Sequence, residues 1–175
     1  AVLMERDFVV PERAVWKLGD SKKLTKLQRE TTNEHIQTLA PAFALGWVSA
    51  EEVDQLGLTR AVSVAMERAV AGIIDTHKQL QYEEIIIDGN INFLPDNLLA
   101  RCLVKADDSV PAVSAASILA KVARDMFMAE QALLYPDYGF DKHVGYGTKI
   151  HREALKQFGV TPLHRKSYKP VAKHL

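Results

Sequence analysis

EEIIIDGN, residues 83–90, is the stretch on which the reading of this chain turns. Ile85, Ile86 and Ile87 form a short β-branched run, the pattern of a buried strand. The run ends on Asp88, a charge that costs roughly several kcal/mol to bury without a partner. Two readings fit. Asp, Gly and Asn are ordinary turn residues, and in one the strand simply stops there in a bend. Alternatively, the carboxylate stands at the carboxyl end of a strand, where open α/β sheets collect their ligands. Gly89 would then allow close backbone approach.

The rest of the chain fits an α/β protein. With 175 residues and 47% apolar content it is long enough for one domain with a substantial core. No run of eighteen apolar residues occurs, and the opening residues carry Glu5, Arg6 and Asp7 where a secretion signal would be apolar. A single cysteine, Cys102, excludes an internal disulfide framework and a cysteine-based zinc site, so a cytoplasmic setting is expected.

AVLM and FVV read as short strands around a charged turn, and FALGWVS as another strand. A helix is expected from Thr25 to about Leu39. Ser49 and Glu52 form a capping box before one or two helices that run through VDQLGLTRAVSVAMERAVAGIID. ARCLVKADD follows as a strand, with Asp107 and Asp108 as cap candidates. The longest helix spans about Ser109 to Leu134, with Ser109 as its N-cap and Pro111 in its first turn. HREALKQFG should be a helix closed by Gly159. Alternating strands and helices imply a central sheet flanked by helices.

The zero net charge conceals a segregation. Residues 142–175 hold eight Lys or Arg against one acid, Glu153, a balance of +7 that the remainder offsets with −7. Lys17, Lys22, Lys23, Lys26 and Arg29 form a second basic cluster. Such asymmetry suits a polyanionic partner or a solvated surface.

On the long helix Ser114, Ser117, Lys121 and Asp125 share one face, with Ala115, Ala116 and Ala120 keeping it small. Lys121 and Asp125 also fit an ordinary i, i+4 surface pair. In HVGYGTKIH a tyrosine among cations suits stacking on a base or sugar while ammonium groups take phosphates. His143 and His151 lack the HExxH spacing of a metal site, and the chain has neither a Walker lysine-serine pair nor GxSxG.

GDSKKLT (19–25), WVSAEEVDQLGL (47–58), IIIDGN (85–90), KADDSVPAVSAASILAKVARD (105–125), HVGYGTKIHREAL (143–155) and HRKSYKP (164–170) occur in order along the chain. Together these segments resemble type 2 ribonuclease H, the bacterial ribonuclease HII family. The resemblance implies a ribonuclease H-like fold with a central mixed sheet. It assigns residues 1–140 to the catalytic core and 141–175 to a basic, helical substrate-binding region that is not an independent domain. The implied activity is cleavage of the RNA strand of RNA/DNA hybrids, and 5′ to single ribonucleotides embedded in duplex DNA.

In such enzymes four acidic residues hold two divalent ions, Mg²⁺ or Mn²⁺, about 4 Å apart. Asp88 and Asp125 match two of these ligands. Tyr146 matches the tyrosine that packs on the sugar at the RNA–DNA junction. Ser21, Lys22, Lys23, Lys121, Arg165 and Lys166 are the expected substrate contacts. Partners are thus a hybrid or ribonucleotide-containing duplex, with no membrane and no obligate protein partner. The family's first strand, with an Asp-Glu pair and a following Gly-Arg-Gly turn, has no match here, and Glu5 and Asp7 do not replace the pair. The chain by itself is therefore expected to be impaired, or to be a catalytically silent nucleic-acid-binding protein.

Overall fold

A computed structural model describes residues 1–175. The chain divides into two compact units: Ala1–Trp47 with Val62–Val122, and Val48–Ala61 with Ala123–Leu175. Each has its own hydrophobic cluster.

In the first unit, β1 (Val2–Leu3) runs antiparallel to β2 (Ala42–Phe43), pairing Val2 with Phe43 and Leu3 with Ala42. β3 (Ile85–Asp88) runs parallel to β4 (Ala100–Leu103), placing Ile87 opposite Cys102 and Asp88 opposite Leu103. The isoleucine run is thus a strand, as its β-branching predicts. The strands form two separate pairs of mixed direction rather than one continuous sheet.

Two expected strands are shorter or absent. FVV forms no strand: Phe8 closes a turn onto Glu5 and lies 6.3 Å from the Trp16 ring, and Pro11 has no amide to give a ladder. FALGWVS contributes only Phe43 to β2. At Gly46 the backbone meets the helix Leu58–Thr76 so closely that a Cβ would fall 1.8 Å from the Ala65 carbonyl oxygen. Close helix contact replaces the ladder there.

Helix α1 (Lys26–Leu39) begins at a capping box between Thr25 and Gln28. α2 (Ala50–Leu56) begins at the expected box between Ser49 and Glu52, and Gly57, at φ 76°, ends it before α3 (Leu58–Thr76). A single turn, α4 (Ala106–Ser109), precedes the long α5 (Pro111–Leu134). Ser109 therefore does not cap α5. It closes α4, its hydroxyl reaching the Lys105 carbonyl at 3.5 Å, while Val110 offers the first acceptor to α5 through the Ser114 amide at 3.0 Å.

The first unit's core gathers Ala115, Ile118, Leu119 and Val122 from α5 around Leu24 and Ile36. That spacing is one helical stripe. Ile36 and Ile118 are fully buried, each contributing roughly 1.5–3 kcal/mol by transfer from water.

In the second unit, Met128 and Phe127 from the end of α5 pack with Tyr138, Phe140, Ala154 and Leu163. Tyr138 lies in a short 3₁₀ turn, Pro136–Tyr138. α6 (Phe140–His143), α7 (Lys149–Phe158, closed by Gly159) and α8 (Lys169–Ala172) complete the unit. No helix is long and apolar enough to cross a membrane.

Candidate functional site

Asp88 ends β3 with an exposed side chain, and its Oδ1 accepts the Ala106 amide at 2.9 Å. Lys105, in the left-handed region at φ 58°, turns the chain so that this amide faces back to the strand. One carboxylate oxygen caps a buried amide, and the other has no protein partner and faces outward as a hard oxygen donor. Asp107 and Asp108 lie in the first turn of α4 and provide no side-chain cap.

The GDSKKLT segment is fastened to the small face of α5. The Gly19 amide donates to Ser114 Oγ at 2.6 Å, and that hydroxyl donates back to the Gly19 carbonyl at 3.0 Å. Ser21 and Ser117 share a hydroxyl hydrogen bond of 2.9 Å. The Arg29 guanidinium donates to the carbonyls of Ser21 (3.2 Å) and Leu24 (2.6 Å). Ser114 and Ser117 therefore serve as anchors for a loop. Ser21 is itself buried by this work, which leaves Lys22 and Lys23 exposed. Lys23 Nζ meets Asp108 at 3.0 Å, and that hydrogen bond holds its pKa above the usual lysine value. Lys121 is half-buried on α5.

In the second unit, Asp125 is half-buried on α5. Tyr146 stands 70% exposed, available for a stacking contact. Its backbone is held tightly: its amide donates to the His143 carbonyl, its carbonyl accepts the Thr148 amide (both 2.8 Å), and His151 Nδ1 lies 3.0 Å from the same carbonyl. Beneath the loop His143, His151 and His164 are all buried.

Arg165 lies over the Tyr168 ring at 4.1 Å and donates to its hydroxyl at 2.8 Å, while Lys166 stays exposed. Asp54 on α2 accepts the amides of Lys166 (2.7 Å) and Ser167 (2.9 Å) and the Ser167 hydroxyl (2.6 Å).

The sequence reading missed two residues. Asp54 lies inside a quoted motif, yet nothing local marks it as a holder of the tail. Arg124, next to Asp125, has its guanidinium beside Gly145, where an added Cβ would lie 3.3 Å from it. Burial, and then the charge of Arg165, lower its pKa. Asp125 and Tyr146 act on the same guanidinium in the opposite direction. No group of three or more His, Cys, Asp or Glu side chains is arranged to hold a metal ion.

A family model described as ribonuclease HII matches residues 9–171. The chain belongs to the ribonuclease HII family. Among curated relatives, the ribonuclease HII of Shewanella pealeana is 44% identical over 166 residues, covering 94% of this chain and 78% of its own. That of Coxiella burnetii is 45% identical over 162 residues, covering 92% and 77%. Solved structures share the fold. Bst-RNase HIII in complex with Mn²⁺ aligns with a TM-score of 0.67 at 18% identity over 89% of this chain. The chain spans 56% of that protein. Ribonuclease H2 from Pyrococcus horikoshii OT3 aligns with a TM-score of 0.66 at 22% identity, covering 88% and 78%.

Proposed function

We propose that this ribonuclease HII chain carries the nucleic-acid-binding and part of the metal-binding apparatus of an endonuclease. Its substrate would be the RNA strand of RNA/DNA hybrids, or single ribonucleotides embedded in duplex DNA. The observation that carries this reading is Asp88, a carboxylate at a strand's carboxyl end that presents an unpartnered oxygen, within a family match across nearly the whole chain. Carboxylate oxygens suit Mg²⁺ or Mn²⁺, and the related ribonuclease HIII was solved with Mn²⁺.

Asp88 and Asp125 would supply two of the four ligands that the family resemblance calls for. Bound divalent ions would activate water and stabilise the leaving oxygen. Water would add its oxygen to phosphorus as the bond to the upstream O3′ breaks, leaving a 3′-hydroxyl and a 5′-phosphate. The chain's own residues hold the substrate. The Tyr146 ring packs on the sugar at the junction, and Lys22, Lys23, Lys121, Arg124, Arg165 and Lys166 meet phosphates.

The test is cleavage of a duplex with one embedded ribonucleotide, by this chain alone and by the chain preceded by a strand bearing Asp-Glu and Gly-Arg-Gly. In the longer protein Asp88→Asn or Asp125→Asn should abolish cutting and spare binding. Mn²⁺ added to isotope-labelled protein should broaden the amide signals of Gly89 and Asp125 together. Unchanged turnover in both variants, or broadening at only one of the two sites, would remove the nuclease assignment.

A further inference from the structure

Three histidines lie buried under the Tyr146 loop: His143 and His151 stack with centroids 4.5 Å apart and planes 10° from parallel, and His151 Nε2 lies 3.0 Å from His164 Nε2. Backbone amides can only donate, and they dictate where every proton in this group sits. The Thr161 amide donates to His164 Nδ1 at 2.9 Å, so the neutral ring carries its proton on Nε2. That Nε2–H must donate to His151 Nε2. His151 is then left with its proton on Nδ1, which points at the Tyr146 carbonyl, 3.0 Å away. Independently, the Gly145 amide donates to His143 Nδ1 at 3.2 Å, so His143 Nε2–H donates to the Tyr138 carbonyl at 2.7 Å.

Between His143 and Gly145 the backbone is strained. Val144 sits at φ 52°, a left-handed conformation that a β-branched residue adopts only where its surroundings over-determine it. Here the flanking hydrogen bonds supply that determination.

We infer that Thr161, His164 and His151 form a hydrogen-bond chain of fixed direction whose end holds the main chain of Tyr146, making His151 and His164 positioning residues for the ring that meets nucleic acid. The role in substrate binding rests on the function proposed above, whereas the direction of the chain does not. Neither histidine touches substrate. They act by holding the loop in one conformation, so that ordering it costs nothing when a duplex binds.

The experiment has two parts. Long-range ¹H–¹⁵N spectra of the free protein at neutral pH should show His164 and His143 protonated on Nε2 and His151 on Nδ1. Any other assignment for His151 or His164 overturns the inference, whether or not the protein binds hybrids. The second part measures the dissociation constant for a labelled RNA/DNA hybrid. His151→Asn, whose amide nitrogen can replace Nδ1 as donor, should stay within about twofold of the parent, while His151→Phe should weaken binding by about five- to tenfold. In a Tyr146→Ala background His151→Phe should have no further effect. Equal losses for Asn and Phe, or full additivity with Tyr146→Ala, would reduce the histidines to packing. Failure of the parent to bind hybrids at all would defeat the proposed function while leaving the tautomer result standing.

Discussion

Asp54 and Ser167, separated by 113 positions in sequence, are joined by two hydrogen bonds: the Ser167 amide and hydroxyl both donate to Asp54 Oδ1, at 2.9 and 2.6 Å. With the Lys166 amide on Oδ2, one carboxylate orders the start of the basic tail. The Ser167 hydroxyl first, and its amide next, hold the Asp54 pKa below the usual carboxylate value, so this tether is present at neutral pH and weakens on acidification. Asp54→Ala should raise the amide exchange rates of Lys166 and Ser167 at least about tenfold and weaken hybrid binding, although it removes a negative charge. If affinity rises instead, simple electrostatics outweighs ordering of the tail.

Asp88 has a structural duty that metal chemistry does not explain. Asp88→Ala would orphan the amide of Ala106, which is 0% exposed, and should cost about 1–3 kcal/mol in urea unfolding without metal. Asp88→Asn keeps an acceptor and should stay within about 0.5 kcal/mol of the parent. Loss of divalent-ion binding in both, with loss of stability only in Ala, would separate the two duties.

Stability should fall between pH 6.5 and about 4 through His164. Burial first, and then His151, push its pKa down to about 4. His151 shifts in the same direction, again chiefly by burial. In that window the unfolded chain binds protons that the folded chain refuses, so unfolding is favoured as pH drops, and this contribution levels off below about 4. The His164 shift alone corresponds to about 3 kcal/mol, to which His151 adds in the same direction. Urea midpoints across this range check it, with His164→Asn expected to flatten the slope. A parent midpoint that is flat between pH 6.5 and 4.5 would contradict the neutral histidine chain.

Lys22 and Lys23 should differ as phosphate contacts. Lys22→Ala should reduce the salt dependence of hybrid binding by about one unit of slope, whereas Lys23→Ala should do less, because Asp108 already holds its ammonium. Asp108→Asn should free Lys23 and tighten binding. Identical slopes for the two alanine variants would show that the Asp108 pair breaks without cost when a duplex arrives.

What the amino-acid order determined here is local. The isoleucine strand, the Ser49–Glu52 box, the glycine closing α7 and the extent of α5 depend on residues within about one helical turn of each other, and their spacing is visible without a fold. Family membership was equally legible, because whole motifs recur in order. The tertiary structure alone decided the rest. Ser114 and Ser117 carry no signal that they anchor Gly19 and Ser21, some 95 positions away. The proton order of the three histidines depends on two backbone amides brought beneath them by packing. Asp54 looked like any helix-surface acid until the tail folded onto it. Strand length changed for the same reason: at Gly46 close contact with α3 outweighed the local preference of FALGWVS for an extended ladder. Short polar side chains bond to whatever the fold places within about 3 Å, and sequence spacing holds no record of that neighbour.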